Sequence, residues 1–126
     1  MKIVIEREPT YLIIAPDVEI LDKEAVAALL AKVSEHIDAN ASTNFIVDLG
    51  AVLQLTNESI HNLIALQQLV EDKEGALVML NAQELVMQKI KQERLHLSIH
   101  IASTLEEAIE LVNNDETMAH GLVNEM

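Results

Sequence analysis

Residues 45–49 read Phe-Ile-Val-Asp-Leu, a short and almost fully apolar run that ends at Gly50. Residues 76–80, Ala-Leu-Val-Met-Leu, have the same character later in the chain. Apolar runs of this length, bounded by polar residues, are typical of strands buried on both faces of a parallel sheet. We therefore predict two buried strands, with the first at the centre of the sheet.

Four helices are predicted around these strands. The first has Asp22 as its N-cap, ends in the polar stretch 38–44, and buries an apolar stripe formed by Val26, Leu29, Leu30, Val33 and Ile37. The second begins near Thr56 or Asn57, which are both competent caps. It runs to Gly75, which occupies the position where a left-handed C-terminal residue is expected.

The third and fourth helices are predicted from capping boxes, in which a polar residue and a Glu three positions later satisfy the first N–H groups. Asn81 and Glu84 begin the third helix, which ends near Arg94 and whose apolar residues are Leu85, Val86 and Ile90. Two overlapping capping boxes, Ser103 with Glu106 and Thr104 with Glu107, begin the fourth helix.

Alternating apolar and polar residues predict the remaining strands. Residues 2–7 alternate, and residues 11–15 resume the pattern after Pro9, which indicates an antiparallel pair at the N-terminus. Residues 95–101 also alternate and are predicted to form one half-exposed strand. The element order is then ββαβαβαβα, which predicts a single α/β domain with a mixed, mostly parallel sheet and an N-terminal antiparallel element.

Composition excludes several classes of function. The 126 residues are enough for one domain, and their formal net charge of −13 opposes binding to nucleic acid or to anionic membranes. Cysteine is absent, which excludes thiol catalysis and Cys-ligated zinc. Because the N-terminus builds no apolar signal segment and no apolar run approaches the roughly 20 residues of a membrane span, we expect a cytoplasmic protein without membrane insertion.

Catalytic and cofactor-binding motifs are not visible in the sequence. Three glycines cannot assemble a phosphate-binding loop. His96 and His100 have a zinc-chelating spacing on a helix, but on the predicted strand they would lie about 13 Å apart. Asp48 interrupts the central strand, where a local hydrogen-bonding role is the more common one. We therefore expect no enzyme, no metal site and no cofactor.

The second helix has an unusually wide apolar arc. Its apolar residues span about 220° on a helical wheel, more than twice the arc of the first helix. If most of them face the sheet, Leu69 points away from it, on the same side of the helix as Glu58 and Asn62. The sequence therefore predicts either an outward apolar docking strip or isolated surface leucines, and it does not separate the two.

The chain resembles the STAS domain family. The resemblance lies in residues 45–66, in Glu-Gly-Ala-Leu-Val-Met-Leu at 74–80, and in Thr-Leu-Glu-Glu-Ala-Ile at 104–109. It implies a STAS-like fold over residues 1–112, and it leaves 113–126 as a polar tail that either extends the last helix or frays. The family includes bacterial anti-sigma factor antagonists.

The phosphorylation motif of the regulatory members is degenerate here. Those members carry Asp-Ser-Ser-Gly after the central strand, and the resemblance places Thr56, Asn57, Glu58 and Ser59 on these four positions. The phosphoacceptor serine is therefore replaced by Glu58. This residue either imitates the phosphate permanently or, as we favour, is an ordinary first-turn Glu. Thr56 and Ser59 remain as candidate phosphoacceptors.

The resemblance implies a non-enzymatic regulatory module that binds a protein partner, specifically an anti-sigma factor kinase, and that lacks the usual serine switch. The alternative is a small-ligand sensor or an accessory STAS subunit of a transporter. The binding site is expected in the loop from Gly50 and along the second helix, at residues Leu53, Leu55, Thr56, Asn57, Glu58, Ser59, Asn62 and Leu69.

Overall fold

The computed structural model describes residues 1–113. The strands within this range are β1 (Lys2–Arg7), β2 (Leu12–Asp17), β3 (Ile20–Leu21), β4 (Phe45–Asp48), β5 (Gln54–Leu55), β6 (Leu77–Leu80) and β7 (His100–Ala102). The helices are α1 (Lys23–Asp38), α2 (Ser59–Asp72), α3 (Glu84–Gln92) and α4, which begins at residue 105 and includes residue 113. A short 3-10 helix spans Leu95–Leu97.

Five of the strands form one mixed sheet in the order β1-β2-β4-β6-β7. The β1–β2 pair is antiparallel, and every other neighbouring pair in this sheet is parallel. The predicted fold class is therefore confirmed, and β4 is the central strand as expected. The sequence did not predict the small second sheet, in which β3 pairs in parallel with β5.

Helices cover the two faces of the sheet unequally. Phe45, Val47 and Met79 face the larger cluster, which also holds the buried apolar residues of α1, α2 and α3. Ile46 and Val78 face the opposite side, where α4 contributes Ala108 and Val112. Because successive side chains of a strand alternate between faces, the apolar residues at the first three positions of β4 are explained by helices on both sides.

The caps of α1 and α4 follow the sequence prediction. Asp22 accepts a hydrogen bond from the backbone N–H of Ala25 at 2.9 Å, which satisfies one of the free donors at the start of α1. Thr104 Oγ1 accepts from the N–H of Glu107 at 3.2 Å and has the same role in α4. Four residues of the predicted α1 stripe are buried, namely Val26, Leu29, Val33 and Ile37.

The C-terminus of α2 differs from the prediction. Glu74, with φ of 59°, takes the left-handed conformation that was assigned to Gly75. Gly75 is required for another reason, because a Cβ atom there would lie 1.6 Å from the carbonyl oxygen of Thr43. The glycine therefore allows the α2–β6 connection to pass against the backbone of the α1–β4 connection.

The start of α3 was also predicted wrongly. The helix begins at Glu84 with Gln83 as its N-cap, and Asn81 is left-handed with φ of 61°. The Asn81–Glu84 capping box therefore does not form. Val86 and Ile90, four residues apart, face the core, while Leu85 is 67% exposed.

The predicted strand over 95–101 is wrong for residues 95–99. Arg94 is left-handed, the 3-10 helix follows, and the strand begins at His100. The N–H of Ile99 bonds to the carbonyl of Leu95 at 2.8 Å, so Leu95 and Ile99 are buried four residues apart along a turn. His96 and His100 are exposed in two different elements rather than on one strand.

Residues 114–126 of the predicted polar tail lie outside the described residues, and residue 113 belongs to α4. No helix within residues 1–113 combines the length and apolar character that crossing a membrane requires.

Candidate functional site

The loop between β4 and α2 begins at the carboxyl end of the central strand, beside the loop that follows β6. Asp48 Oδ1 accepts hydrogen bonds from the N–H of Gly50 at 2.9 Å and from Asn81 Nδ2 at 3.4 Å. Gln83 Nε2 donates to the carbonyl of Gly50 at 2.7 Å. Asp48 therefore has the local hydrogen-bonding role that the sequence analysis favoured, and it joins two neighbouring loops.

The middle of the loop is held by the small second sheet. The carbonyl of Glu19 accepts from the N–H groups of Leu53 at 2.7 Å and of Gln54 at 3.1 Å. Leu55 is buried, so this predicted binding residue packs in the core and supports the loop from inside. Leu53 is 45% exposed, so of the two predicted binding residues Leu53 and Leu55 it is the one accessible at the surface.

A tight turn leads into α2. The carbonyl of Thr56 accepts from the N–H of Ser59 at 3.2 Å and from the Ser59 hydroxyl at 2.7 Å. Ser59 is completely buried. Thr56 Oγ1 is also buried and has no hydrogen-bond partner among the described residues. The two candidate phosphoacceptor hydroxyls therefore both lie below the surface.

Asn57 and Glu58 form the exposed part of this turn. Asn57 Oδ1 accepts a hydrogen bond from the ammonium group of Lys89, which ties the turn to α3. Glu58 occupies the N-cap position of α2, where no side-chain hydrogen bond caps the helix. The predicted caps Thr56 and Asn57 therefore precede the helix, and the exposed carboxylate of Glu58 lies at its positive end.

The predicted outward strip on α2 is covered. Leu69 is half-buried and packs against the larger core cluster, which also contains residues of α1. Asn62 Nδ2 donates to the carbonyl of Lys23 at 3.1 Å, so this side of α2 also faces α1. The wide apolar arc of α2 is explained by burial against both the sheet and α1.

The structure also shows surface features that the sequence analysis missed. A groove of about 520 Å³ lies between the loop and α3, and its walls are Gln54, Leu55, Thr56, Asn57, Leu85, Gln88, Lys89 and Gln92. Leu85 is exposed in this groove, and Ile20, which pairs with Gln54, is 50% exposed. Their placement depends on the late start of α3 and on the second sheet, neither of which has a clear sequence signal.

Residues 1–113 contain no group of three or more His, Cys, Asp or Glu side chains that could hold a metal ion. The candidate site consists of the fixed loop after β4, the exposed side chains of Leu53 and Glu58, and the adjoining groove.

A comparison with protein-family models matches residues 2–108 to the STAS domain. The chain belongs to the STAS domain family. The match covers all the strands and the first residues of α4, and the resemblance noted from the sequence is thereby confirmed. No curated protein sequence matches this STAS chain significantly.

Several solved structures share the STAS fold of this chain, and two of those below are described as anti-sigma factor antagonists. A candidate antagonist from Thermotoga maritima aligns with a TM-score of 0.78 and 16% identity, covering 88% of this chain and 94% of its own. SpoIIAA in its unphosphorylated form aligns with a TM-score of 0.65 and 23% identity, covering 89% and 98%. A serine-to-glutamate variant of RsbS from Moorella thermoacetica aligns with a TM-score of 0.73 and 17% identity, covering 90% and 97%.

Proposed function

We propose that this STAS protein is a non-enzymatic regulatory module that binds a protein partner in the manner of an anti-sigma factor antagonist. The observation that carries the proposal is the loop after β4. Hydrogen bonds to Glu19, Gln83 and Asn81 fix its position, while Leu53 and Glu58 remain exposed. A fixed loop with an apolar and a charged side chain at its surface is suited to recognition of another protein.

The proposed partner is an anti-sigma factor kinase with a basic contact surface. The net charge of −13 favours association with a positively charged protein surface and raises the rate of encounter. Glu58 adds a charge within the proposed contact. We expect this electrostatic contribution to weaken as the salt concentration rises.

The proposal includes loss of the serine switch. Glu58 stands at the position that the family resemblance gives to the phosphoacceptor, and it has no hydroxyl. Burial of the Ser59 hydroxyl and of Thr56 Oγ1 supports the proposal that neither accepts phosphate in the folded domain. The module would then act through binding that does not depend on its own phosphorylation.

The direct test is calorimetric titration of the full chain with the anti-sigma factor kinases encoded in the same genome. We expect one of these kinases to bind, and we expect Leu53→Lys and Glu58→Lys each to weaken binding at least tenfold. Leu97→Lys is a matched control, because Leu97 is 72% exposed and precedes β7, at the opposite end of the strands from the loop. Unchanged affinity of both loop variants would exclude this surface.

The groove between the loop and α3 supports a second candidate function, which is binding of a small ligand. Its lining combines the exposed Leu85 with amide side chains and the ammonium group of Lys89. A thermal-shift screen of metabolites distinguishes this function, since a ligand of the folded state raises the melting temperature with its concentration. Leu85→Glu should remove the shift if the ligand occupies the groove.

A further inference from the structure

The outer edge of β1 is a regular six-residue strand edge. β1 is the first strand of the sheet order, and β2 is its one neighbour within the described residues. The N–H of Glu8 donates to the carbonyl of Tyr11 at 3.0 Å, which continues the β1–β2 ladder. Backbone groups alternate along such a ladder, so even-numbered residues of β1 bond to β2. The backbone groups of the odd-numbered residues, Ile3, Ile5 and Arg7, therefore point outward.

The side chains of β1 also divide by face. Ile3 and Ile5 are half-buried and pack against the larger core cluster. Lys2, Val4 and Glu6 are exposed on the opposite face, and Val4 is 49% exposed. Exposed regular edges of this kind can pair with a further strand, and proteins commonly block them with proline or a bulge. β1 contains neither device.

We propose that β1 pairs antiparallel with β1 of a second copy of this chain, about a twofold axis at Val4. In this register Ile3 faces Ile5 of the other copy, so their outward backbone groups form hydrogen bonds across the junction. Each Lys2 faces Glu6 of the other copy, and Val4 faces its own equivalent. The two sheets then continue into one sheet, and the isoleucines of both copies lie on the same face.

Charge complementarity within β1 favours this register. The two Lys2–Glu6 pairs would occupy non-hydrogen-bonded positions, where facing side chains of antiparallel strands are closest. A register shifted by one residue on each strand would instead place Ile5 against itself, Arg7 against Ile3, and Glu6 against Val4. That alternative also places Lys2 against Glu8, but Glu8 lies beyond the last residue of β1, whereas both Lys2–Glu6 pairs of the proposed register lie within the strand.

The position of the edge also reduces the repulsion between two acidic chains. Residues 1–8 contain two basic residues, Lys2 and Arg7, and two acidic residues, Glu6 and Glu8. Their formal charges cancel, so the whole net charge of −13 belongs to the rest of the chain. The β1 edge is therefore a neutral part of an acidic protein, and added salt should screen both the remaining repulsion and the Lys2–Glu6 attraction.

The first experiment uses the absence of native cysteine. Val4→Cys in the full chain introduces a single thiol at the proposed axis. Non-hydrogen-bonded Cα atoms in antiparallel pairs lie about 4.5 Å apart, within the range that a disulfide accepts. We expect Val4→Cys to oxidise to a covalent dimer at least tenfold faster than Ile20→Cys, a control with matched exposure of 50% at another site. Equal rates for the two variants would overturn the proposal.

The second experiment reverses the charges. Glu6→Lys should weaken dimerisation about tenfold in sedimentation velocity, although it makes the chain less acidic. Nonspecific charge effects predict the opposite, and Glu110→Lys controls for them. Lys2→Glu should also weaken association, and its melting temperature must be measured because Asp17 of β2 neighbours Lys2 within the chain.

The combined variant Lys2→Glu/Glu6→Lys restores opposite charges across the junction and should recover association to within about threefold of the original chain. We expect dimerisation of the original chain between about 10 µM and 1 mM, as suits a small interface. A chain that stays monomeric up to about 1 mM, or a double variant that associates no better than Glu6→Lys, would exclude the proposed pairing.

Discussion

The hydroxyl of Ser59 donates a 2.7 Å hydrogen bond to the backbone carbonyl of Thr56, and the Ser59 side chain is completely buried. A carboxylate placed there loses this bond and its hydration. We therefore predict that Ser59→Asp lowers the free energy of unfolding by about 3 kcal/mol or more. Ser59→Ala should lower it by about 1 kcal/mol. Urea unfolding followed by far-ultraviolet circular dichroism measures both changes.

Asn57→Asp is the matched control for the Ser59 variants. It adds the same charge two residues away at an exposed site, and it keeps an oxygen that can accept from Lys89. Asn57→Asp should change the free energy of unfolding by no more than about 0.5 kcal/mol. If Ser59→Asp proved as stable as the original chain, the turn before α2 would have to open easily, and a kinase could then reach Ser59.

Glu58 should stabilise α2 through the helix dipole. Glu58→Gln is predicted to lower the free energy of unfolding by about 0.3–1 kcal/mol at low salt, with the difference decreasing as salt is added. The same variant distinguishes the two interpretations of this residue. If Glu58 imitates a phosphate, Glu58→Gln and Glu58→Ser should change affinity for the kinase at least tenfold in the same direction.

Asn44 joins three parts of the chain at the amino end of the sheet. Its Oδ1 accepts from the N–H of Ala76 at 2.9 Å, and its Nδ2 donates to the carbonyl of Thr10 at 3.1 Å. Asn44→Ala leaves the buried N–H of Ala76 unpaired and removes the bond to Thr10, and it should cost about 2–3 kcal/mol in urea unfolding. Gln68→Ala on the exposed side of α2 is the control and should cost under about 0.5 kcal/mol. Equal costs would contradict this role.

Gly75→Ala should be severely destabilising, by about 3 kcal/mol or more, because the new Cβ would overlap the backbone of Thr43. Gly50→Ala is a matched control at another loop. Its nearest contact would be Asp48 Oδ1 at 3.1 Å, which requires only a small adjustment. The melting temperature of Gly75→Ala should be well below that of Gly50→Ala. The reverse order would refute the close approach of Gly75 to the backbone of Thr43.

Tyr11 should titrate above its usual pKa. Burial raises the pKa of its hydroxyl, and the charges of Glu8 and Glu6 raise it further. Since folding favours the neutral phenol, its contribution to stability is complete below pH about 10 and is lost as the pH rises through the folded pKa. Near-ultraviolet absorbance reports Tyr11 alone, because it is the one tyrosine and tryptophan is absent. Glu8→Gln should lower the pKa of Tyr11 without restoring the value for an exposed tyrosine.

Most of the fold was predictable because the buried strands and the first helix have strong local signals. Asp22 caps α1 and β4 is apolar at each inward position, so the sequence pattern and the packing agree there. Residues 95–101 gave an equally clear alternation that was misleading. Arg94 turns the chain into a left-handed conformation, and Leu95 and Ile99 are then buried by a turn rather than by a strand.

The site was harder to predict because it depends on neighbours that are distant in sequence. A helical wheel gave the direction of Leu69 but not the presence of α1 on that side. Alternation in a two-residue strand is too short to detect, so the pairing of β3 with β5 and the burial of Leu55 had no sequence signal. Glu58 was predicted in the first turn of α2, and the structure places it at the N-cap of that helix instead.

The hydrogen bonds among Asp48, Asn81, Gln83 and Gly50 have a consequence for the thermodynamics of recognition. They fix the loop after β4 against the loop after β6 before any partner arrives. In the proposed complex, a partner would need to immobilise side chains such as Leu53 but little backbone, and the entropic penalty of association would be correspondingly small. The bound and free forms of the proposed surface would then differ mainly in rotamers, so that complex formation would approximate the docking of a rigid body.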